Sequence, residues 1–348
     1  MSKPTVGVFV VHSCIRTHKI SWTLKNLGYK VILFTANANH AHPWWVYDAA
    51  VRVHTDPDNT TPFFQLRNML DAVDPLIDIY HVHNEPDWPV GTIKKVTKKP
   101  VIYDVHDLKS QRQEQEEYEK EAFELCDGVS TVSDRYVKLA QKYTKAPVKE
   151  VLSCVPEFMF PKGSTKIQHK GVVYEGGMGS QSTFETKGEF KCRLWADTFK
   201  KIMKTGTPVW AYTASSGTDL SDYDNTGTIV LGPFGYKSLL GNLTAHEAGL
   251  VGSPEPDSMF DGAMPNKLFE YMAAGLPILA WNAGKCVNNF ILATGIGAVL
   301  DDLEEIPDVL EVFRKEKFKE RVWELRNNWT MEGQIGKVET LYRKALGD

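Results

Sequence analysis

Two cations, one carboxylate and a glycine pair are the residues of this chain whose spacing could do chemistry. Lys267 and Glu270 stand three residues apart in MPNKLFEYMAAGLPILAW, Met264 to Trp281, and that spacing places them on one face of a helix. Pro265 suits a first helical turn, where no N–H is needed, and Gly275 suits the left-handed position after the last turn. The stretch therefore predicts a helix over Pro265 to Ala274, opening on Pro265 and Asn266. Its amino end, with free N–H groups and the positive pole of the helix dipole, favours an anion, and Lys267 adds a full charge there. Glu270 can accept both hydroxyls of a cis-diol such as a ribose, so a nucleoside diphosphate would satisfy the pair. A solvated Lys–Glu helix pair, worth ~0.2–0.5 kcal/mol, is the rival reading.

VVYEGGMG, Val172 to Gly179, ends a strand-like run in Gly176 and Gly177, which let a phosphate or sugar approach the backbone. A helix is expected over Phe190 to Lys204, and its Arg193 offers a planar donor fork to a diphosphate. Lys187 in the preceding loop is a competing cation, and a snorkelling surface role is the rival for Arg193. In the first half, VIYDVHDL brings Asp104, His106 and Asp107 to the carboxyl end of a strand. A histidine there can donate to a sugar hydroxyl or serve structure alone. HVHNEPDWPVG gathers His81, His83, Asn84, Glu85 and Asp87 beside Trp88, a mixture that suits a carbohydrate or acceptor surface, with Asp87 as the cap of the next helix the alternative.

Other chemistries lack their fingerprints. VVHSCIRTHK follows the first strand where a dinucleotide-binding G-x-G-x-x-G would stand, and neither a P-loop nor a G-x-S-x-G elbow occurs. Asp219, Asp222 and Asp224 in GTDLSDYDN offer oxygen ligands, but their glycine and serine neighbours predict a solvated loop. No metal site is expected, because no aspartate pair sits convincingly at a strand end and two cations, Arg193 and Lys267, can stand in for the ion.

These residues need strands and helices to hold them. TVGVFVVH, KVILFTA, AVRVHT, IDIYHVH, PVIYDVH, GVSTVS and KEVLSC alternate with helical stretches, the pattern of a parallel sheet covered on both faces. VPEFMFPKGSTKIQHKG interrupts the alternation with linker residues, after which GVVYEGG, PVWAYTA, TIVLGPF, AGLVGS, LPILAW and GAVLDD resume it. Two doubly wound α/β domains are expected, over residues 1–158 and 159–330, with a helix over 331–348 returning to the first. The 348-residue length fits ~150 residues per domain.

The net charge of -4 gives no general attraction to polyanions, although IKKVTKK, Ile93 to Lys99, could favour a membrane or acceptor surface. Cys14, Cys126, Cys154, Cys192 and Cys286 form no Cys-x-x-Cys pair and read as reduced thiols. With no signal peptide pattern and no apolar run approaching ~18 residues, a cytoplasmic location is expected.

Together VIYDVHDL, DGVSTVSDRYVKLA, VVYEGGM, YKSLLGNLTAHEAGLVGS, MPNKLFEYMAAGLPILAW and NNFILATGIGAVLDDLEEI resemble the GT-B glycosyltransferases, most closely the retaining family-4 type. The resemblance covers most of the chain, and P-x-K-x-x-E-Y-M-A-A-G is its specific motif. It implies a first domain that binds an acceptor hydroxyl on a glycan, a lipid-linked sugar or another molecule. The second would bind a nucleoside-diphosphate sugar, a UDP-sugar by preference, with no further cofactor.

By the same resemblance Glu270 would hold the ribose, Arg193 and Lys267 the diphosphate beside Gly176, Gly177, Pro265 and Asn266, and His106 the transferred sugar. The base would lie near Phe234 or Tyr236 of LGPFGYKS. Two departures stand out. The family's second glutamate, eight residues before the ribose one, is Gly262 here, beside Asp261, and the glycine-rich loop after the first strand is replaced by His12, Ser13 and Arg16. A sugar-nucleotide epimerase, a nucleic-acid-modifying glycosyltransferase and a non-catalytic sugar-nucleotide or glycan binder are the rival functions.

Overall fold

The computed structural model describes residues 3–11, 14–36, 46–53, 62–84, 86–108, 110, 117–163, 165–187, 191–213 and 219–347, without the side chains of 62–65, 117, 186, 187, 258 and 259. His12, Ser13 and Glu85, named above, lie outside the described residues, as does the Lys187 side chain. The chain divides into two units, Met1–Pro156 with Gly262–Met264 and Met331–Asp348, and Glu157–Asp261 with Pro265–Thr330.

In the first unit, strands β1 (Thr5–Phe9), β2 (Lys30–Thr35), β3 (Ala49–Arg52), β4 (Ile79–His83), β5 (Val101–Val105), β6 (Gly128–Thr131) and β7 (Val148–Glu150) form a sheet. Its order is β3-β2-β1-β4-β5-β6-β7, and every pair is parallel. The β4 and β5 runs are buried at every position, as strands covered on both faces must be. The helices are α1 (Ile15–Asn26), α2 (Pro62–Val73), α3 (Pro89–Val96), α4 (Glu117–Leu125), α5 (Asp134–Tyr143) and the distant α13 (Met331–Leu346). Ile335, Val338, Leu341 and Tyr342 of α13 join Val8, Ile20, Leu24, Leu33, Ile79 and Ile102 in one core.

α1 buries charge along with apolar side chains: Arg16, His18 and Lys19 are as buried as Ile20 and Leu24. Polar partners inside the unit make this possible. Lys19 Nζ donates to the Ser153 carbonyl at 3.0 Å, and His18 Nδ1 meets the Tyr47 hydroxyl at 2.6 Å.

The second unit has β8 (His169–Gly176), β9 (Val209–Thr213), β10 (Ile229–Leu231), β11 (His246–Gly252), β12 (Ile278–Trp281) and β13 (Gly297–Val299). They form a parallel sheet in the order β10-β9-β8-β11-β12-β13. The strand order reverses between β8 and β11, and such sheets bind ligands at the carboxyl ends beside that reversal. Helices α6 (Gln181–Lys187), α7 (Ala196–Lys204), α8 (Tyr236–Leu243), α9 (Asn266–Ala273), α10 (Lys285–Thr294), α11 (Ile306–Lys315) and α12 (Phe318–Leu325) complete it. No helix among the described residues is long and apolar enough to cross a membrane.

One local reading of the sequence is corrected here. The helix expected from Phe190 begins at Ala196, and Arg193 closes a separate 3-10 turn, Lys191–Arg193. The Arg193 carbonyl is engaged by the Gly179 N–H at 3.0 Å and the Tyr223 hydroxyl at 3.2 Å, which draws it away from a continuous helix. The aspartates of GTDLSDYDN are exposed, as a solvated loop requires, and hydrogen-bond to the start of α6: Asp219 accepts from Ser180 and Ser182 Oγ, each at 2.8 Å, and Asp222 accepts from the Gln181 N–H at 2.7 Å.

Candidate functional site

In the second unit, Gly176 ends β8 at the reversal of strand order, with φ +134, a conformation unfavourable to other residues. A Cβ on Gly176 would stand 3.0 Å from Lys267 Nζ, and one on Gly177 3.0 Å from Arg193 Nε. Consecutive glycines thus give room to two cations from segments distant in sequence. Lys267 Nζ lies 3.8 Å from the centre of the Tyr174 ring, a cation–π contact. The ring is held in turn, because the Tyr174 hydroxyl donates to the Gly177 carbonyl at 3.0 Å. Tyr174 was missed in the sequence, though the two-residue period of a strand puts it on the same face as Gly176. Cys192 senses both charges: burial pushes its thiol up, and Arg193 and Lys267 pull against that rise.

α9 follows an extended Pro265, φ -67 and ψ 149, which takes the cap position, so the helix starts at Asn266. At its other end the Leu276 N–H bonds the Tyr271 carbonyl at 2.8 Å and the Gly275 N–H the Met272 carbonyl at 2.9 Å. That is a Schellman closure, with Gly275 left-handed at φ +71. The Tyr271 hydroxyl accepts from the Glu175 N–H at 2.9 Å and donates to the Leu250 carbonyl at 3.2 Å. One side chain thereby fixes α9 to β8 and β11, and so fixes Lys267 and Glu270 relative to the glycine turn.

Glu270 is 3% exposed. Burial, and then the neighbouring Glu270 charge, hold the Tyr236 hydroxyl well above the ordinary phenol range. Tyr236 opens α8, and Phe234, two residues earlier, meets Tyr212 edge-on with centroids 5.4 Å apart. The structure therefore gathers Gly176, Gly177, Arg193 and Lys267 at one turn and sets Glu270 beside Tyr236.

Asp261 is turned to α10, where it accepts from Lys285 Nζ at 2.9 Å and from the Lys285 N–H at 3.3 Å. Gly262 belongs to the first unit, and a Cβ on it would stand 2.2 Å from Tyr136 Cε1. No larger residue fits at that position without moving the tyrosine.

His106 lies in the first unit, beyond β5, and is not among the residues gathered at the glycine turn. Its N–H donates to Asn84 Oδ1 at 3.0 Å, and its Nδ1 lies 3.3 Å from Asp104 Oδ1. Asp104, fully buried, receives Arg16 Nε and Nη2 at 2.8 Å each and Ser130 Oγ at 2.7 Å. Arg16 Nη1 goes on to the Val151 carbonyl and Ser153 Oγ. Although burial opposes its charge, Arg16 holds the Asp104 carboxyl well below the usual carboxylate range. Ligand atoms of His83, Asp104 and His106 come within 4.8 Å of one another, but the bidentate arginine already supplies that carboxylate with its counter-charge.

The described residues of HVHNEPDW are largely internal rather than a carbohydrate-facing surface. His81, His83, Asn84 and Asp87 are buried, because β4 is covered on both faces and the residues after it find partners within the unit. Asp87 accepts the Tyr103 hydroxyl at 2.6 Å, and Trp88 packs edge-on to Phe9. Arg16, expected on an acceptor side, is enclosed in the same way. The basic run is also paired: Lys94 with Asp127 at 2.9 Å, Lys95 with Glu121 at 2.8 Å and Lys99 with Asp74 at 3.6 Å.

Residues 193–331 match the family described as Glucosyltransferase 3-like, C-terminal domain. No curated protein matches the chain in sequence. Among solved structures, Anabaena Alr3699/HepE in complex with UDP and glucose is similar at a TM-score of 0.69 and 10% identity, over 97% of this chain and 99% of that one. AviGT4, a glycosyltransferase of avilamycin A biosynthesis, aligns at 0.63 and 12%, over 99% and 98%. An alpha-glucosyltransferase in complex with UDP-glucose and DNA containing an abasic site aligns at 0.63 and 12%, over 97% and 99%. At these identities the likeness is one of fold, and the two parallel-sheet units carry it. The chain therefore has the GT-B fold, two parallel-sheet α/β units, and its residues 193–331 are similar to a glucosyltransferase domain.

Proposed function

We propose that the chain transfers a sugar from a UDP-sugar to a hydroxyl acceptor, with retention at the anomeric carbon and without a divalent metal. The observation that carries the reading is the approach of Lys267 and Arg193 to the Gly176–Gly177 turn. The similar structures solved with UDP, or with UDP-glucose, support the choice of donor. A diphosphate at the turn meets both cations and the amino end of α9, where Pro265 and Asn266 open the helix. Glu270 accepts the ribose hydroxyls, and Phe234 and Tyr236 border the base.

Breaking the glycosidic bond leaves an oxocarbenium-like sugar and moves negative charge onto the diphosphate. Fixed cations aimed at that charge lower the barrier, because they need no reorganisation as it develops. In a front-face reaction the departing diphosphate oxygen takes the acceptor's proton, while His106 donates a hydrogen bond to the transferred sugar. A glycan or lipid-linked sugar in the cytoplasm is the acceptor class we favour. A nucleic acid is disfavoured by the carboxylate partners of Lys94, Lys95 and Lys99.

The test is turnover with a panel of UDP-sugars in excess chelator, followed by NMR of the product's anomeric centre. UDP release that depends on acceptor, with configuration kept, is the expected result. Inversion of configuration, or activity that chelator abolishes and magnesium restores, would overturn the corresponding part.

A further inference from the structure

The first unit contains a second chemical constellation, in which His106, the proposed sugar contact, also faces a thiol. Cys14, at the cap position of α1, has its Sγ 3.9 Å from His106 Nε2, and His106 Nδ1 is 3.3 Å from Asp104 Oδ1. A thiol, an imidazole and a buried carboxylate thus stand in series, with the carboxylate fixed by the two-pronged Arg16 bond. This is the arrangement that activates a nucleophile: base against thiol, and a third group orienting the base. Cys14 is half-buried, so a small reagent can reach it.

We propose that Cys14 is a modification site, a reactive thiol paired with His106 and oxidised by hydrogen peroxide to the sulfenate. The sulfur forms a bond to one peroxide oxygen and the O–O bond breaks. The second oxygen leaves as hydroxide and takes a proton to become water. Sulfur loses two electrons and the peroxide gains them.

The groups facing the thiol set its protonation. Burial alone would raise it, but His106 and the Arg16 N–H outweigh burial and the opposing Asp107 charge, leaving it below the ordinary thiol range. Burial works against the His106 charge as well, yet Cys14 and Asp104 carry that ring up to about 10. His83, packed against Asp104, is held down by burial to about 3 and adds no charge near neutrality. The other thiols contrast with it: burial holds Cys126 and Cys154 up at about 12 and raises Cys192.

Iodoacetamide labelling of the native chain between about pH 5 and 9, with each cysteine peptide followed by mass spectrometry, tests the site. Cys14 should label first, about tenfold faster than Cys192 or Cys286 near pH 6, as thiolates outpace thiols. His106→Gln should slow Cys14 by a similar factor and leave the other four unchanged, which also shows that the variant is folded. After peroxide, a dimedone adduct should form on Cys14 and be absent from Cys14→Ser. Faster labelling at Cys192 or Cys286, or a Cys14 rate indifferent to His106→Gln, would overturn the proposal.

One consequence rests on the reading of His106 as a sugar contact: peroxide should slow transfer by the native chain and spare Cys14→Ser. An adduct at Cys14 with transfer undiminished would overturn that link. A chain that forms the adduct but transfers no sugar would overturn the transferase reading instead.

Discussion

Arg16 and Arg193 serve two units of similar architecture and meet opposite surroundings. Arg16 is 1% exposed, and its donors go to Asp104, the Val151 carbonyl and Ser153. Arg193 is half-buried beside Gly177, close to a lysine that lies over an aromatic face. An arginine whose donors are taken up by its own fold has none to offer a ligand. Two cations brought together raise each other's energy, and an anion between them relieves it. The first arginine is therefore assigned to stability and the second proposed for binding, a division that variants can test.

The largest effect is expected where the buried pair is broken. Arg16→Ala leaves Asp104 charged and enclosed, and should cost about 3–5 kcal/mol in denaturant unfolding. A variant as stable as the parent would place Arg16 on the binding side of the comparison. Next in size, Lys267→Ala and Arg193→Ala should lower kcat by about 10²–10³-fold, as does loss of one donor to a developing oxyanion. Their melting should stay within about 0.5 kcal/mol of the parent. The double variant should be less impaired than the sum of the two, as for residues acting on one group. Normal turnover in Arg193→Ala with none in Lys187→Ala would move the diphosphate contact to the loop lysine.

Glu270→Gln should weaken UDP binding by about 1.5–3 kcal/mol, the scale of hydrogen bonds to a charged group, as read by calorimetry. Equal affinity in the two proteins would remove Glu270 from the ribose. A finer test compares two left-handed glycines. Gly176→Ala and Gly206→Ala should each lose about 1–3 kcal/mol to backbone strain. A Cβ at Gly206, φ +84, meets nothing within 4 Å, whereas one at Gly176 meets Lys267. Only Gly176→Ala should also lose donor affinity, and equal losses would show that the glycine turn does not position the lysine.

The smallest effect near neutrality is in pH dependence. His83 titrates at about 3 when folded, because burial disfavours its charge, against ~6.5 when unfolded. Between those values the unfolded chain binds the extra proton, so stability falls as pH falls through that window. His106, raised to about 10, acts in the other direction: its contribution is whole below ~6.5 and is lost as pH rises toward about 10. His83→Gln should flatten the acid limb of a melting profile and His106→Gln the alkaline limb.

The sheets were legible because a parallel strand covered on both faces leaves a local signature, the Val, Ile and Tyr runs of β4, β5, β8 and β12. The helix α9 was legible for a similar reason, since its entry at Pro265 and its exit at Gly275 are chain-local. The candidate residues of the second unit could be named from strand ends and a helix start, positions fixed by short motifs. What escaped was pairing at long range. Nothing near Arg16 announces a carboxylate 88 residues away, and Tyr342 gives no sign that its hydroxyl reaches His81 Nδ1 across 261 residues. The same blindness turned buried β4 histidines into a surface. Hydrophobic period reports which face is covered, but carries no term for which polar side chain waits beneath.

The placement of α13 carries a consequence for synthesis. Ile335, Val338, Leu341 and Tyr342 belong to the core that also contains Val8 and Ile79, and Glu339 accepts from Tyr29 and Lys3. On the ribosome, the unit whose sequence emerges first lacks these side chains until α13 has been made. Glu157–Asp261 and Pro265–Thr330, by contrast, can close their sheet as soon as Thr330 is clear. At ~5–20 residues per second, the earlier-emerging half waits seconds with an apolar groove uncovered, and the later half is finished before it.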